Sequence, residues 1–171
     1  VMAARPCVAW PTSLTAPSEI RVLRVATGLV EAVPFRAYIE NVTAWEWSSS
    51  YPAEALKVGA IAVKQYAWYH AMRPRPSYVT PAGECYHVRD DTFDQRYDPS
   101  RTPHPSHLAA VDATWATTLR KDGWFFLSGY GPGTSDVCGA DVSATRTRLA
   151  QRGVRACANG GMTFPDILRT Y

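Results

Sequence analysis

One carboxylate stands out by its neighbours. Glu46 lies between Trp45 and Trp47, at the end of the segment FRAYIENVTAWE. A carboxyl group held against indole rings loses hydration, which penalises its charged form and raises its pKa. An acid kept protonated near neutral pH can protonate a glycosidic oxygen. The alternative is a surface glutamate whose aromatic neighbours turn into the core. Trp45, Trp47 and Tyr51 offer faces either to sugar rings or to that core.

Other constellations fit known chemistry less well. Asp90, Asp91, Asp94 and Asp98 lack the spacing and terminal Glu of an EF-hand and read as an acidic loop. His87, His104 and His107, with Cys85, match no zinc-finger or HExxH spacing. Zinc is therefore a minor candidate, and the expectation is no cofactor and no metal. The run GYGPG at 129–133 lacks the Lys-Ser/Thr of a phosphate loop, and Ser128 does not sit in a nucleophile elbow. Asn41-Val42-Thr43 matches the glycosylation pattern but falls inside an expected helix.

Cys7, Cys85, Cys138 and Cys157 are widely spaced, with no CxxC pair. Two disulfides in an oxidising compartment suit that pattern, with the pairing left open. Net charge is only +3, which suits an anionic surface and is no nucleic-acid footprint. No apolar run is long enough to span a membrane, and the first residues lack the apolar stretch of a signal peptide.

The elements that must position Glu46 follow from periodicity. Residues 1–18 are proline-rich and read as an extended arm, and 19–171 as one domain. Ile20 to Val25 and Leu29 to Val33 read as strands either side of a Thr27-Gly28 turn. Phe35, Tyr38, Ile39 and Val42 share a helical face. Ser50 or Tyr51 is the expected cap of a second helix, Ala53 to Met72, with Pro52 in its first turn. That helix is apolar nearly all round, so it must be buried on most sides. Helices are also expected over 107–119 and 143–158, and after Thr163. A Lys121-Asp122-Gly123 hairpin turn and a loop over 128–139 separate them. The result is an α+β domain: a buried central helix pair, small antiparallel strands, and long loops over a cleft.

At these residues the chain resembles the stage II sporulation protein D family, also called SpoIID/LytB. Tyr38, Ile39, Val42 and Glu46 match its Tyr-(Ile/Val)-x-x-Val-x-x-x-Glu pattern. Pro52, Glu54, Ala55, Leu56, Lys57, Ala60, Ala62, Tyr66 and Ala67 match the Pro-x-Glu-Ala-Leu-Lys segment that follows. Gln95 and Tyr97 resemble its Gln-x-Tyr element. Gln151, Gly153 and the FPDIL run at 164–168 resemble its C-terminal segment. The resemblance implies a bacterial, secreted, cell-wall-associated lytic transglycosylase. Glu46 would be acid and base on peptidoglycan glycan strands, giving a 1,6-anhydro product. Tyr66, Gln95, Tyr97, Gln151, Trp47 and Tyr51 are then the residues expected to meet the glycan. A non-catalytic wall-binding module or amidase enhancer is the other role attached to the family, with a cell-wall amidase as partner.

The chain departs from the family pattern at chosen places. Trp47-Ser48 replaces Met-Pro after the glutamate. Gly59, Lys64 and Gln65 stand where Gln, Arg and Thr are usual. ATRTR at 144–148 replaces a Gly-His-Gly-x-Gly run, and the histidines with which some members bind zinc are missing.

Overall fold

A computed structural model describes residues 6–171; residues 1–5 of the expected arm lie outside it. Five helices and seven short strands follow in the order β1 (Glu19–Arg24), β2 (Leu29–Pro34), α1 (Phe35–Glu46), α2 (Ala53–Met72), β3 (Val88–Arg89), α3 (Pro105–Thr114), β4 (Arg120–Lys121), β5 (Trp124–Phe125), β6 (Gly129–Gly131), β7 (Arg148–Ala150), α4 (Gln151–Asn159) and α5 (Phe164–Thr170). The fold is α+β.

Helix α2 is the axis of the molecule. It touches α1, α3, α4 and α5, and Leu56, Val58, Ile61 and Val63 are wholly buried along it. Each such side chain stabilises the fold by roughly 1.5–3 kcal/mol. Its polar residues are not exposed either. Lys64 Nζ donates to the carbonyls of Thr114 and Trp115, the open C-terminal end of α3, where a cation opposes the helix dipole. Gln65 Nε2 donates to the carbonyls of Leu119 and Phe126, and its Oε1 accepts the Leu119 N–H. One helix face thus fastens the chain from 114 to 126. That is why α3 ends at Thr114 and not at Leu119.

The caps differ from expectation in instructive ways. Pro52, not Ser50 or Tyr51, is the N-cap of α2. The hydroxyls of Ser48 and Ser50 bond to each other at 2.8 Å, so neither reaches the helix. Helix α3 begins two residues early because His104 Nδ1 accepts the Ser106 N–H and His107 Nδ1 accepts the His104 N–H.

Strand β1 pairs antiparallel with β2, Ile20 opposite Val33, and parallel with β3, Val22 opposite Val88. The β4–β5 hairpin turns at Asp122 and Gly123, both at positive φ, as a tight two-residue turn requires. The expected helix over 143–158 is a correction: it starts only at Gln151. Residues 148–150 instead form β7, parallel to β6 in the expected loop 128–139. Arg146 sits at φ 52°, which no α-helix tolerates. Two of the four strand pairings are therefore parallel, where only antiparallel ones were expected.

Cys7 bonds to Cys85, and Cys138 to Cys157, leaving no free cysteine among the described residues. The first bridge ties residues 6–18 to the body, helped by Trp10 N–H to the Ala71 carbonyl and Trp68 Nε1 to the Thr12 carbonyl. The second ties the 132–147 loop to α4. No described helix is long and apolar enough to cross a membrane.

Candidate active site

Glu46 is the last residue of α1, and its position is fixed through the backbone. The Glu46 carbonyl accepts Gln151 Nε2 at 2.7 Å. The Trp47 carbonyl accepts His107 Nε2 at 2.8 Å. His107 Nδ1 is already an acceptor, so the ring is neutral with its proton on Nε2, and burial lowers its pKa. Two C-terminal carbonyls of α1 are thus satisfied by side chains from α3 and α4.

Trp47 then closes the floor from behind. Its indole lies on Gly59 of α2 so closely that a Cβ there would overlap the ring. Trp47 and Gly59 are therefore one change and not two: the larger residue after the glutamate occupies the space that the smaller residue on the helix leaves.

The Glu46 carboxylate faces outward from this floor into an open cleft of 430 Å³. Its Oε1 accepts the Arg96 N–H at 2.8 Å, and Oε2 has no hydrogen-bond partner among the described residues. Burial raises the pKa, and the Arg96 N–H and guanidinium lower it less. Neither Lys57 nor Lys64 pairs with it; they bond to Glu54 and to the α3 carbonyls.

A second carboxylate in the cleft is in the opposite state. The Asp94 side chain is fully buried and accepts Tyr66 OH, Arg75 Nη2, Tyr78 OH and the Arg89 N–H. Every lone-pair direction is taken, so Asp94 is a brace that aims Tyr66 at the cleft. Burial, and after it the same hydrogen bond, raises the Tyr66 pKa.

Of the residues expected to meet a ligand, Glu46, Tyr66 and Gln151 line the cleft. The rest are placed behind it or beside it. Trp47 is 1% exposed, Gln95 0% and Tyr97 6%. Gln95 is spent on Tyr38 OH, the Val63 carbonyl and Tyr130 OH, and Tyr97 stacks on Tyr38 at 5.3 Å. These side chains lie behind the cleft lining and not in it. Tyr51 packs edge-on against Trp47 and lies outside the cleft. Trp45 is taken up by the guanidinium groups of Arg96 and Arg101 over its ring.

The sequence reading gave no site role to Asp94, Phe93, Tyr130 or Arg148, which all line the cleft. Phe93 is 67% exposed, with the Arg89 guanidinium 5.0 Å from its ring centre. The signal for Asp94 and Phe93 was their place directly before Gln95. The zinc candidates are dispersed: Cys85 is in a disulfide, His104 and His107 cap α3, and His87 Nδ1 accepts the Arg21 N–H. Among the described residues no group of three His, Cys, Asp or Glu is placed to hold a metal. Asn41 is 6% exposed, its amide bonded to the Asp98 and Arg101 backbone, so the glycosylation pattern is not available.

Residues 24–120, more than half of the chain, match the family described as SpoIID, stage II sporulation protein. The chain belongs to the SpoIID family. The match spans Glu46, all of α2 and the Asp94 brace. A comparison with curated proteins finds no match. SpoIID membership points to a cell-wall-related role, and closed disulfides suit an extracytoplasmic compartment.

Proposed function

We propose that this SpoIID chain is a secreted lytic transglycosylase that cleaves peptidoglycan strands between N-acetylmuramic acid and N-acetylglucosamine. The observation that carries the reading is the contrast in the cleft: Glu46 has an unbonded oxygen and a raised pKa, while Asp94 has no lone pair to spare.

A hydrolase with two working carboxylates needs a second one free to activate water or attack the sugar. Here one carboxylate must serve twice. Protonated Glu46 gives its proton to the glycosidic oxygen as the bond to C1 breaks. The resulting carboxylate takes the proton of the muramic acid C6 hydroxyl, whose oxygen bonds to C1. The product is a 1,6-anhydro sugar, no water is consumed, and Glu46 ends protonated. Tyr66, fixed by Asp94, and the exposed face of Phe93 are the groups that would orient the sugar rings.

A raised pKa keeps Glu46 protonated to higher pH, so activity falls as pH rises past its value. The deciding test compares the parent chain with Glu46→Gln on isolated glycan strands, reading anhydro-muropeptides by mass. The parent should release them and the variant should lose about 10²–10⁴-fold. Folding should not suffer, because the amide of the variant can still accept the Arg96 N–H without burying a charge. Equal silence from both, with strands still bound, would favour the wall-binding or amidase-enhancing role.

A further inference from the structure

A second cavity, 200 Å³, adjoins the Glu46 cleft across the β6–β7 wall. Five cations line it: Arg120, Lys121, Arg146, Arg148 and Arg169, with Leu149 and Leu168 giving apolar surface. No Asp or Glu side chain lines it. Asp166, paired with Arg169, is the one acid bonded to any of the five among the described residues. Arg120, Lys121 and Arg146 are oriented by backbone carbonyls of Ser13, Thr145, Arg169 and Thr170, bonds that fix a cation without neutralising it.

Arg148 links the two spaces, since it lines both the cleft and the basic cavity. Its side chain runs along β6, where a Cβ on Gly131 would lie 2.5 Å from Nη2. The glycines opposite leave the room that the guanidinium occupies. It has no hydrogen bond or ion pair among the described residues. The backbone adds a further indication. Arg146 holds a φ of 52°, a conformation that suits glycine. The chain places an arginine on a glycine-like turn here. An unfavourable residue at a strained position beside a site suggests use of its side chain.

We infer that this basic cavity is an anion subsite that receives a carboxylate carried on a side arm of the strand lying in the Glu46 cleft, with Arg148 as first contact. The inference rests on the strand reading of the cleft. A guanidinium receives a carboxylate through parallel hydrogen bonds, and neighbouring cations hold it in place. The cavity is smaller than the roughly 300–1,000 Å³ of pockets for drug-sized ligands, so it suits a short arm and not another sugar pair. Two sources carry that chemistry. One is the lactyl carboxylate of a muramic acid stripped of its peptide. The other is the carboxylates of a peptide still attached there. The first reaches only Arg148, and the second extends on toward Arg120 and Arg169.

Binding can be measured on the full chain carrying Glu46→Gln, so that strands persist. The probes are peptide-free strands, the same strands with lactyl carboxylates converted to amides, and peptide-bearing strands. Amidation should weaken binding roughly tenfold, as loss of a charge-assisted contact does. Arg148→Gln should weaken carboxylated strands by a similar factor and leave amidated strands unchanged, while Arg148→Lys restores part of the loss. A loss from Arg169→Gln confined to peptide-bearing strands assigns the attached peptide as the source. A loss from Arg148→Gln alone on peptide-free strands assigns the lactyl group. Arg148 has no partner to lose, so its variants should melt with the parent. Strand binding that is indifferent to the carboxylate, or equal loss on both strand types, overturns the subsite and spares the strand reading. No binding to any strand brings down both.

Discussion

The floor and the far wall of the cleft are built by opposite means. The floor is the α1–α2 corner, where Glu46 stands on Trp47, Trp47 on Gly59, and the backbone is held by Gln151 and His107. Packing there leaves one carboxyl group partly dehydrated. The far wall is two three-residue strands and the 132–147 loop, held by Cys138–Cys157 and by Asp136 and Asp141. It has little apolar core and many arginines. Burial on the floor shifts a pKa, whereas the wall guanidinium groups keep their charge in contact with water. The family match, residues 24–120, covers α1 and α2 and stops short of the wall.

The sharpest way to break the wall alone is to replace both Cys138 and Cys157 by alanine. Their bridge closes a loop with a sequence separation of 19, and its loss should cost about 3 kcal/mol. Hydrogen exchange should quicken over 129–160 and stay slow in α1 and α2. Equal quickening in α2 would mean that floor and wall are one cooperative unit.

Acid separates the wall carboxylates from two buried histidines next. His70, near the C-terminal end of α2, and His87, beside β1, are buried, and burial pushes both pKa values down to about 4. Unfolded histidines titrate near 6.5, so between pH 6.5 and 4 the unfolded chain binds more protons and stability falls as pH falls. The loss is up to roughly 3 kcal/mol for each histidine. On the wall, Arg152 holds Asp136 and the Thr134 N–H holds Asp141 below the usual carboxylate value of 3.8. Their contribution is lost only as pH falls below that. Melting curves from pH 7 to 3 should therefore show the histidine-linked loss before the wall-carboxylate loss; a stability that is flat from pH 6.5 to 4 would rule this out.

The smallest perturbation targets the fit of Trp47. Gly59→Ala should destabilise by about 1–3 kcal/mol through overpacking. It should also lower turnover, because the displaced indole adjoins Glu46 in the chain. Unchanged turnover with lowered melting would show that the floor tolerates movement beneath the carboxylate.

Much of the floor was legible because its signals are local. The apolar sweep of α2, the helical face of Phe35, Tyr38, Ile39 and Val42, and the β1–β2 pairing all follow from period and turn residues within short windows. The place of Glu46 at the end of α1 was legible for the same reason, since the helical face and the Ser/Pro turn lie within a few residues of it. The wall was not. ATRTRLAQRG reads equally as a helix, and only the distant strand at 129–131 turns its RLA stretch into β7. Gln95 and Tyr97 carry a motif but not an address, since burial depends on what α1 and β6 bring over them.

The sequence by itself determined α1, α2 and the β1–β2 pair and the even count of cysteines, because each depends on residues a few positions apart. Only the tertiary structure decided that Trp47 fills the space over Gly59, and that Asp94 is spent where Glu46 is free. It alone joined Cys7 to Cys85 and Cys138 to Cys157, and set Arg148 between two cavities. Those outcomes are contacts across tens of residues, set by which surfaces can be buried together, and no local pattern encodes them.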